Sequence, residues 1–213
     1  MTRSALVGAA LKLFGSQGFE GTSTREVAAR ANANIGSIAY HFGGKEGLRI
    51  AVADFIVETI QTLAKQAIGG LEASFTEPVN PERAQAQLVR GLERMIAFVV
   101  ARPEAGDIVH FMLREMAQPS AALDRIYRGV FEPVHKRLCL IWEQATGEPA
   151  GSERTRLTIF TLLGQVLYFR IGSEVVLRRM GWDTFGTTEA ARVLDVVRDN
   201  LIAILSSRKA SDA

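Results

Sequence analysis

Arg25, Asn34, Ile35, Gly36 and Ser37 are residues suited to the edges of base pairs. Forked donors, amides, hydroxyls and apolar contacts are what discriminate bases in a major groove, and Ile35 offers an apolar surface to a thymine methyl. Ser23, Thr24, Tyr40, His41 and Lys45 suit a second task. Their hydroxyls, rings and cation can hold phosphates, which fixes register without reading sequence. Lys45 follows Gly43-Gly44 at the expected start of a long helix, where a cation opposes the helix dipole. A phosphate would reverse that sign; an ordinary solvated lysine is the alternative.

These side chains need elements that space them. Ser23 and Glu26 have the separation of a capping box, so a helix should begin there. Val27, Ala28 and Ala31 give it an apolar stripe. Asn32 can take the left-handed conformation that ends a helix. Asn34 can then cap a second short helix over residues 35–40 by accepting a backbone N–H bond. Ile38 and Phe42 are its expected core anchors, and Gly36, Ser37 and Ala39 let a backbone approach DNA closely. Two short helices around a tight turn form a helix-turn-helix, whose second helix is sized for a major groove.

The first fifty residues resemble the TetR family of one-component transcriptional regulators. Leu13-Phe14, Gly18-Phe19, Thr22-Ser23, Tyr40-His41-Phe42 and Lys45-Glu46-Gly47-Leu48 carry the likeness. The run from Asn34 to Leu48 is more like the CecR branch. So are Phe111-Met112-Leu113-Arg114-Glu115, Leu123-Asp124-Arg125-Ile126-Tyr127, Phe131-Glu132-Pro133-Val134-His135 and Leu177-Arg178-Arg179-Met180-Gly181-Trp182-Asp183. Asn32-Ala33-Asn34 stand where the family usually has Gly-Val-Ser, and Ala39 where it has an aromatic. That departure leaves Tyr40 as the better candidate for one phosphate contact. The resemblance implies an all-α chain. A helix-turn-helix DNA-binding domain of three helices would occupy residues 1–50, and a helical ligand-binding and dimerisation domain residues 51–213.

Composition is consistent with a cytoplasmic regulator of 213 residues. Residues 1–50 hold six Lys and Arg against three Asp and Glu, whereas the remainder holds nineteen against twenty. Attraction to nucleic acid should therefore be local to the N-terminal region. The single cysteine, Cys139, excludes an intramolecular disulfide, and its apolar surroundings suit an inert buried thiol. No signal peptide is expected, and no stretch should span a membrane.

Helices are expected throughout. The long helix after Lys45 should turn Leu48, Val52, Phe55, Ile56 and Leu63 to one face and end at Gly69-Gly70, with a loop over residues 76–81. Pro81 suits a helix start, and Pro133 should kink or split a helix over residues 121–145. Two final helices are expected near residues 153–179 and 188–206. Residues 157–169 are apolar almost all round, which requires burial on every side. A homodimer seam would satisfy this, with Gly164 permitting close approach and Ala190, Leu194, Val197, Leu201 and Leu205 forming the stripe of the last helix. A wholly internal core is the alternative.

A small-molecule effector is the expected control element. Its apolar part would lie against Phe111, Met112, Trp142 and Phe169, and a polar or anionic group would reach Arg114, Gln165 or Arg170. Glu115 or Glu174 could pair with these arginines instead. His110 and His135 are either pocket groups or satisfied core histidines. No cofactor or metal is implied. No metalloprotease helix, nucleophile elbow, phosphate loop or dinucleotide fingerprint occurs, so no enzyme is expected. The resulting expectation is a transcriptional regulator, a repressor by preference, that binds a palindromic double-stranded operator as a homodimer. An architectural DNA-binding protein without an effector is the other class.

Overall fold

The computed structural model describes residues 2–69, 71 and 80–209. Gly70 and residues 76–79 of the expected loop lie outside that set. Eleven α-helices and one π-helical turn make up the described chain, with no strand. They divide into two compact units, Met1–Ile60 with Glu104–Phe131, and Gln61–Pro103 with Glu132–Ala213. Packing units thus follow different lines from a functional boundary at residue 50, because two later helices return to the N-terminal segment.

In the first unit, α1 (Thr2–Gln17) packs with α2 (Thr24–Arg30) and α3 (Gly36–Phe42). Leu6, Ala10, Phe14, Val27, Ala28 and Ile38 form the buried centre. The capping box at α2 is complete. The Glu26 amide donates to Ser23 Oγ at 3.2 Å, and the Ser23 amide donates to Glu26 Oε2 at 2.7 Å. That main-chain bond, with one from the Ser23 hydroxyl, holds the exposed Glu26 carboxyl below its usual pKa. Asn32 has φ 48°, the expected left-handed turn residue. Asn34 Oδ1 accepts the Gly36 amide at 2.8 Å.

The long helix α4 (Lys45–Ile68) starts in this unit and buries Leu48, Val52 and Ile56, whereas Phe55 is exposed, not on the inner face. The helix α6 (Pro103–Ala117) packs here too, with the Phe111 ring 6.4 Å from Phe14. After α7 (Ala121–Ile126) comes the π-helical turn Tyr127–Phe131. It falls just before Pro133, which lacks the amide needed to continue regular hydrogen bonding. Gly129 in this turn sits so close to α4 that a Cβ there would lie 2.7 Å from Val57 Cγ1.

The second unit contains α5 (Pro81–Val99), α8 (Glu132–Thr146), α9 (Glu153–Ile171), α10 (Ser173–Met180) and α11 (Thr187–Lys209). Pro81 opens α5 behind an Asn80 cap. Leu88, Ile96, Ile141, Trp142, Ile159, Val166, Val197 and Leu201 share one core. The single helix expected over residues 153–179 is instead two, bent by 76° where Gly172 separates α9 from α10. Among the described residues no single helix is long and apolar enough to cross a membrane, although this bent pair passes on length and composition.

Candidate nucleic-acid interface

The helix-turn-helix exposes the residues chosen as base readers. Arg25, Asn34, Ile35 and Gly36 are exposed and Ser37 is half-buried. Ile35 is 48% exposed, a surface that an aliphatic side chain gains nothing by showing to water. Beyond it, Tyr40 is 85% exposed. The Tyr40 and His41 ring centroids stand 4.9 Å apart, and those of His41 and Phe42 stand 6.0 Å apart. Thr24 is half-buried at the start of α2. Ser23 is exposed, but its hydroxyl also donates to Glu26 Oε2 at 2.7 Å, so its first role is local. Phe42 is half-buried and carries Arg3, whose guanidinium lies 5.5 Å from the ring centroid.

Lys45 Nζ lies 4.2 Å from the Phe19 ring centroid, and the Arg49 guanidinium 4.3 Å from the same ring. An aromatic face attracts cations, so Phe19 orients both. Arg49 is also anchored. It donates from Nε and Nη2 to the two Glu115 oxygens, at 2.8 and 3.0 Å. Glu115 is buried and takes a third bond from Ser120 Oγ, which also caps α7. Neither residue could be paired from sequence, because they stand 66 positions apart.

The residues expected to hold an effector fall in both units. Phe111 is buried against Phe14, Met112 is half-buried, and Arg114 donates to the main-chain oxygens of Gly15 (2.7 Å) and Ser16 (2.6 Å). In the second unit Trp142 is fully buried and donates from Nε1 to Glu148 at 2.9 Å. Gln165 accepts from Asn200 at 3.0 Å, and Phe169 packs on the core. Arg170 donates to the carbonyls of Val99, Val100 and Arg102 at 2.7–2.9 Å. Arg114 and Arg170 thus serve helix C-termini, where carbonyls lack intrahelical donors, and neither pairs with Glu115 or Glu174. Glu174 bonds Arg178 instead.

An open depression of about 480 Å³ runs along α9, lined by Glu153, Arg154, Leu157, Thr158 and Thr161, none of them an expected effector contact. His110 is exposed, whereas His135 is half-buried, 4.1 Å from the Phe160 ring. Cys139 is buried, and burial pushes its thiol pKa up, which disfavours the reactive thiolate.

Arg170→Ala should strip donors from the last carbonyls of α5 and lower stability by about 1–3 kcal/mol. Urea denaturation checks this, and an unchanged midpoint would remove the capping role.

The inner stripe of α11 is not a seam. Ala190, Val197, Leu201 and Leu205 are buried within the subunit's own core, with Leu194 packed beside them. Val196 and Ile202 lie on the exposed side of the same helix. On α9, Leu157, Phe160, Tyr168 and Ile171 are exposed, and Gly164 has open space around its Cα.

Three packed helices, the last of them open to solvent and carrying the exposed Tyr40 and His41, define a helix-turn-helix DNA-binding protein. Residues 6–52 match the family described as "Bacterial regulatory proteins, tetR family", and residues 84–207 match the C-terminal domain of the HTH-type transcriptional dual regulator CecR. CecR of Shigella flexneri is 34% identical over 209 residues, covering 95% of this chain and 91% of that protein. RaaS of Mycobacterium tuberculosis is 40% identical over 60 residues, 28% of each chain. Among solved structures, a TetR-like transcriptional regulator from Rhodococcus sp. RHA1 superposes with TM-score 0.67 and 18% identity over 96% of both chains. AibR, solved with isovaleryl coenzyme A and operator DNA, superposes with TM-score 0.68 and 17% identity over 93% of this chain and 96% of its own. The chain belongs to the TetR family of transcriptional regulators, in its CecR branch.

Proposed function

We propose that this regulator is a cytoplasmic repressor that binds a palindromic operator as a homodimer and is released by a small-molecule effector. The exposed Arg25, Asn34, Ile35 and Gly36 carry the reading, because Asn34 Oδ1 holds the Gly36 amide while all four residues stay open to a partner. The exposed apolar side chains of α9, with Val196 and Ile202 of α11, form the face that a second copy would cover. Two recognition helices related by a two-fold axis fit a palindrome.

AibR binds both an acyl-coenzyme A and DNA, which supports an effector of mixed character. Phe169 and Gln165 in the second unit remain candidate contacts. Trp142, Phe111, Arg114 and Arg170 first serve packing and carbonyl capping. An effector acts only through unequal affinity for the DNA-competent and DNA-incompetent shapes.

Lys45→Ala should weaken binding about equally for all duplexes and lower the salt slope by roughly 1. Arg25→Ala should relax preference at one base pair, at a cost of about 1–3 kcal/mol of discrimination. Titration of operator variants at several salt concentrations separates these effects. Binding that both substitutions leave untouched would overturn the assignment.

A further inference from the structure

We propose that Arg3, in the first turn of α1, is a further contact to the DNA backbone, placed by Phe42. This rests on the DNA-binding reading of α2 and α3. The guanidinium lies 5.5 Å from the centroid of the Phe42 ring, the last residue of α3. Phe42 follows directly on Tyr40 and His41, the two exposed aromatic residues assigned to phosphates. Rings and guanidinium form one continuous row from Tyr40 through His41 and Phe42 to Arg3.

Chemistry favours a phosphate at the end of this row. A guanidinium resting on an aromatic face keeps its N–H edges free, and those edges match two phosphate oxygens. Stacking also restricts the side chain beforehand, so less rotamer freedom is lost on binding. Arg3 is exposed and makes no ion pair with a carboxylate among the described residues. Arg49 makes the contrast: its guanidinium also stacks on a ring, but Glu115 occupies its donor edge. The α1 sequence holds Arg3 and Lys12 and no acidic residue, so nothing within that helix neutralises the site.

Each phosphate neutralised on a duplex contributes about 0.9 to the slope of log K against log salt. Arg3→Gln should therefore reduce the slope by about 0.9, with an equal loss of affinity for operator and unrelated duplex, and Arg3→Glu should reduce affinity further. Circular dichroism melts should match the unsubstituted protein, because the residue is exposed. Fluorescence anisotropy titrations of the full chain, with Lys45→Ala in parallel, decide the matter. A lowered slope in both variants supports the assignment. If Lys45→Ala lowers the slope and Arg3→Gln does not, the Arg3 contact is overturned while the interface stands. If neither does, the interface itself is overturned along with it.

Discussion

Glu115→Ala is expected to lower the free energy of unfolding by about 3–5 kcal/mol, since removing one partner of a buried ion pair strands the other. Glu115 is 4% exposed at its side chain and Arg49 12%, so water can do little for the guanidinium, which among the described residues keeps as carboxylate partner only exposed Glu46 at 4.0 Å. Ser120 loses an acceptor as well. The matched double substitution Arg49→Met with Glu115→Leu should recover most of the loss, because it removes both charges and keeps the volume. Urea denaturation followed by circular dichroism measures both. A loss below about 1 kcal/mol in the single variant would show the pair to be screened like a surface bridge. The single variant should also weaken DNA binding, because Arg49 and Lys45 share the Phe19 ring.

Leu201→Arg and Ile202→Arg are neighbours in sequence and should behave as opposites. Leu201 is 2% exposed within the α5, α8, α9 and α11 core. An arginine there buries an unpaired charge, at a cost of several kcal/mol that a marginally stable chain cannot absorb. Insoluble or unfolded protein is the expected outcome. Ile202 is 48% exposed, so arginine there should leave the subunit helical and soluble. Light scattering should then report a monomer, with operator affinity reduced. A folded dimer carrying Ile202→Arg would move the seam away from this side of α11.

What the sequence revealed and what it hid divide by distance along the chain. Ser23 with Glu26, Asn32 and Pro81 act within four residues, so their types and spacing announce their roles; Asn34 holds the Gly36 amide, but the N-cap of α3 falls on Ile35. Apolar patterning was legible on α9 and α11, but not which side faced inward. Val196 and Ile202 are as apolar as Leu201, and only packing against α5 and α8 decides between them. Gly172 carried a local signal for a break, outweighed by the apolar run that leads up to it. Arg114 and Arg170 were expected to reach an effector or a carboxylate, and in the structure both donate to main-chain carbonyls. Their partners were illegible because a carbonyl belongs to every residue, and these stand 68 to 99 positions away. Arg3 was missed for the same reason: its ring partner lies 39 positions on, although the acid-free composition of α1 was a usable hint.

The missing side chain at Gly129 works as a notch in a bearing. Val57 of α4 is seated where a Cβ would otherwise stand, its Cγ1 2.7 Å from that position. The absent side chain at Gly129 therefore lets α4 lie closer to the π-helical turn than any larger residue there would permit. Gly129→Ala would fill the notch and force Val57 and the turn apart.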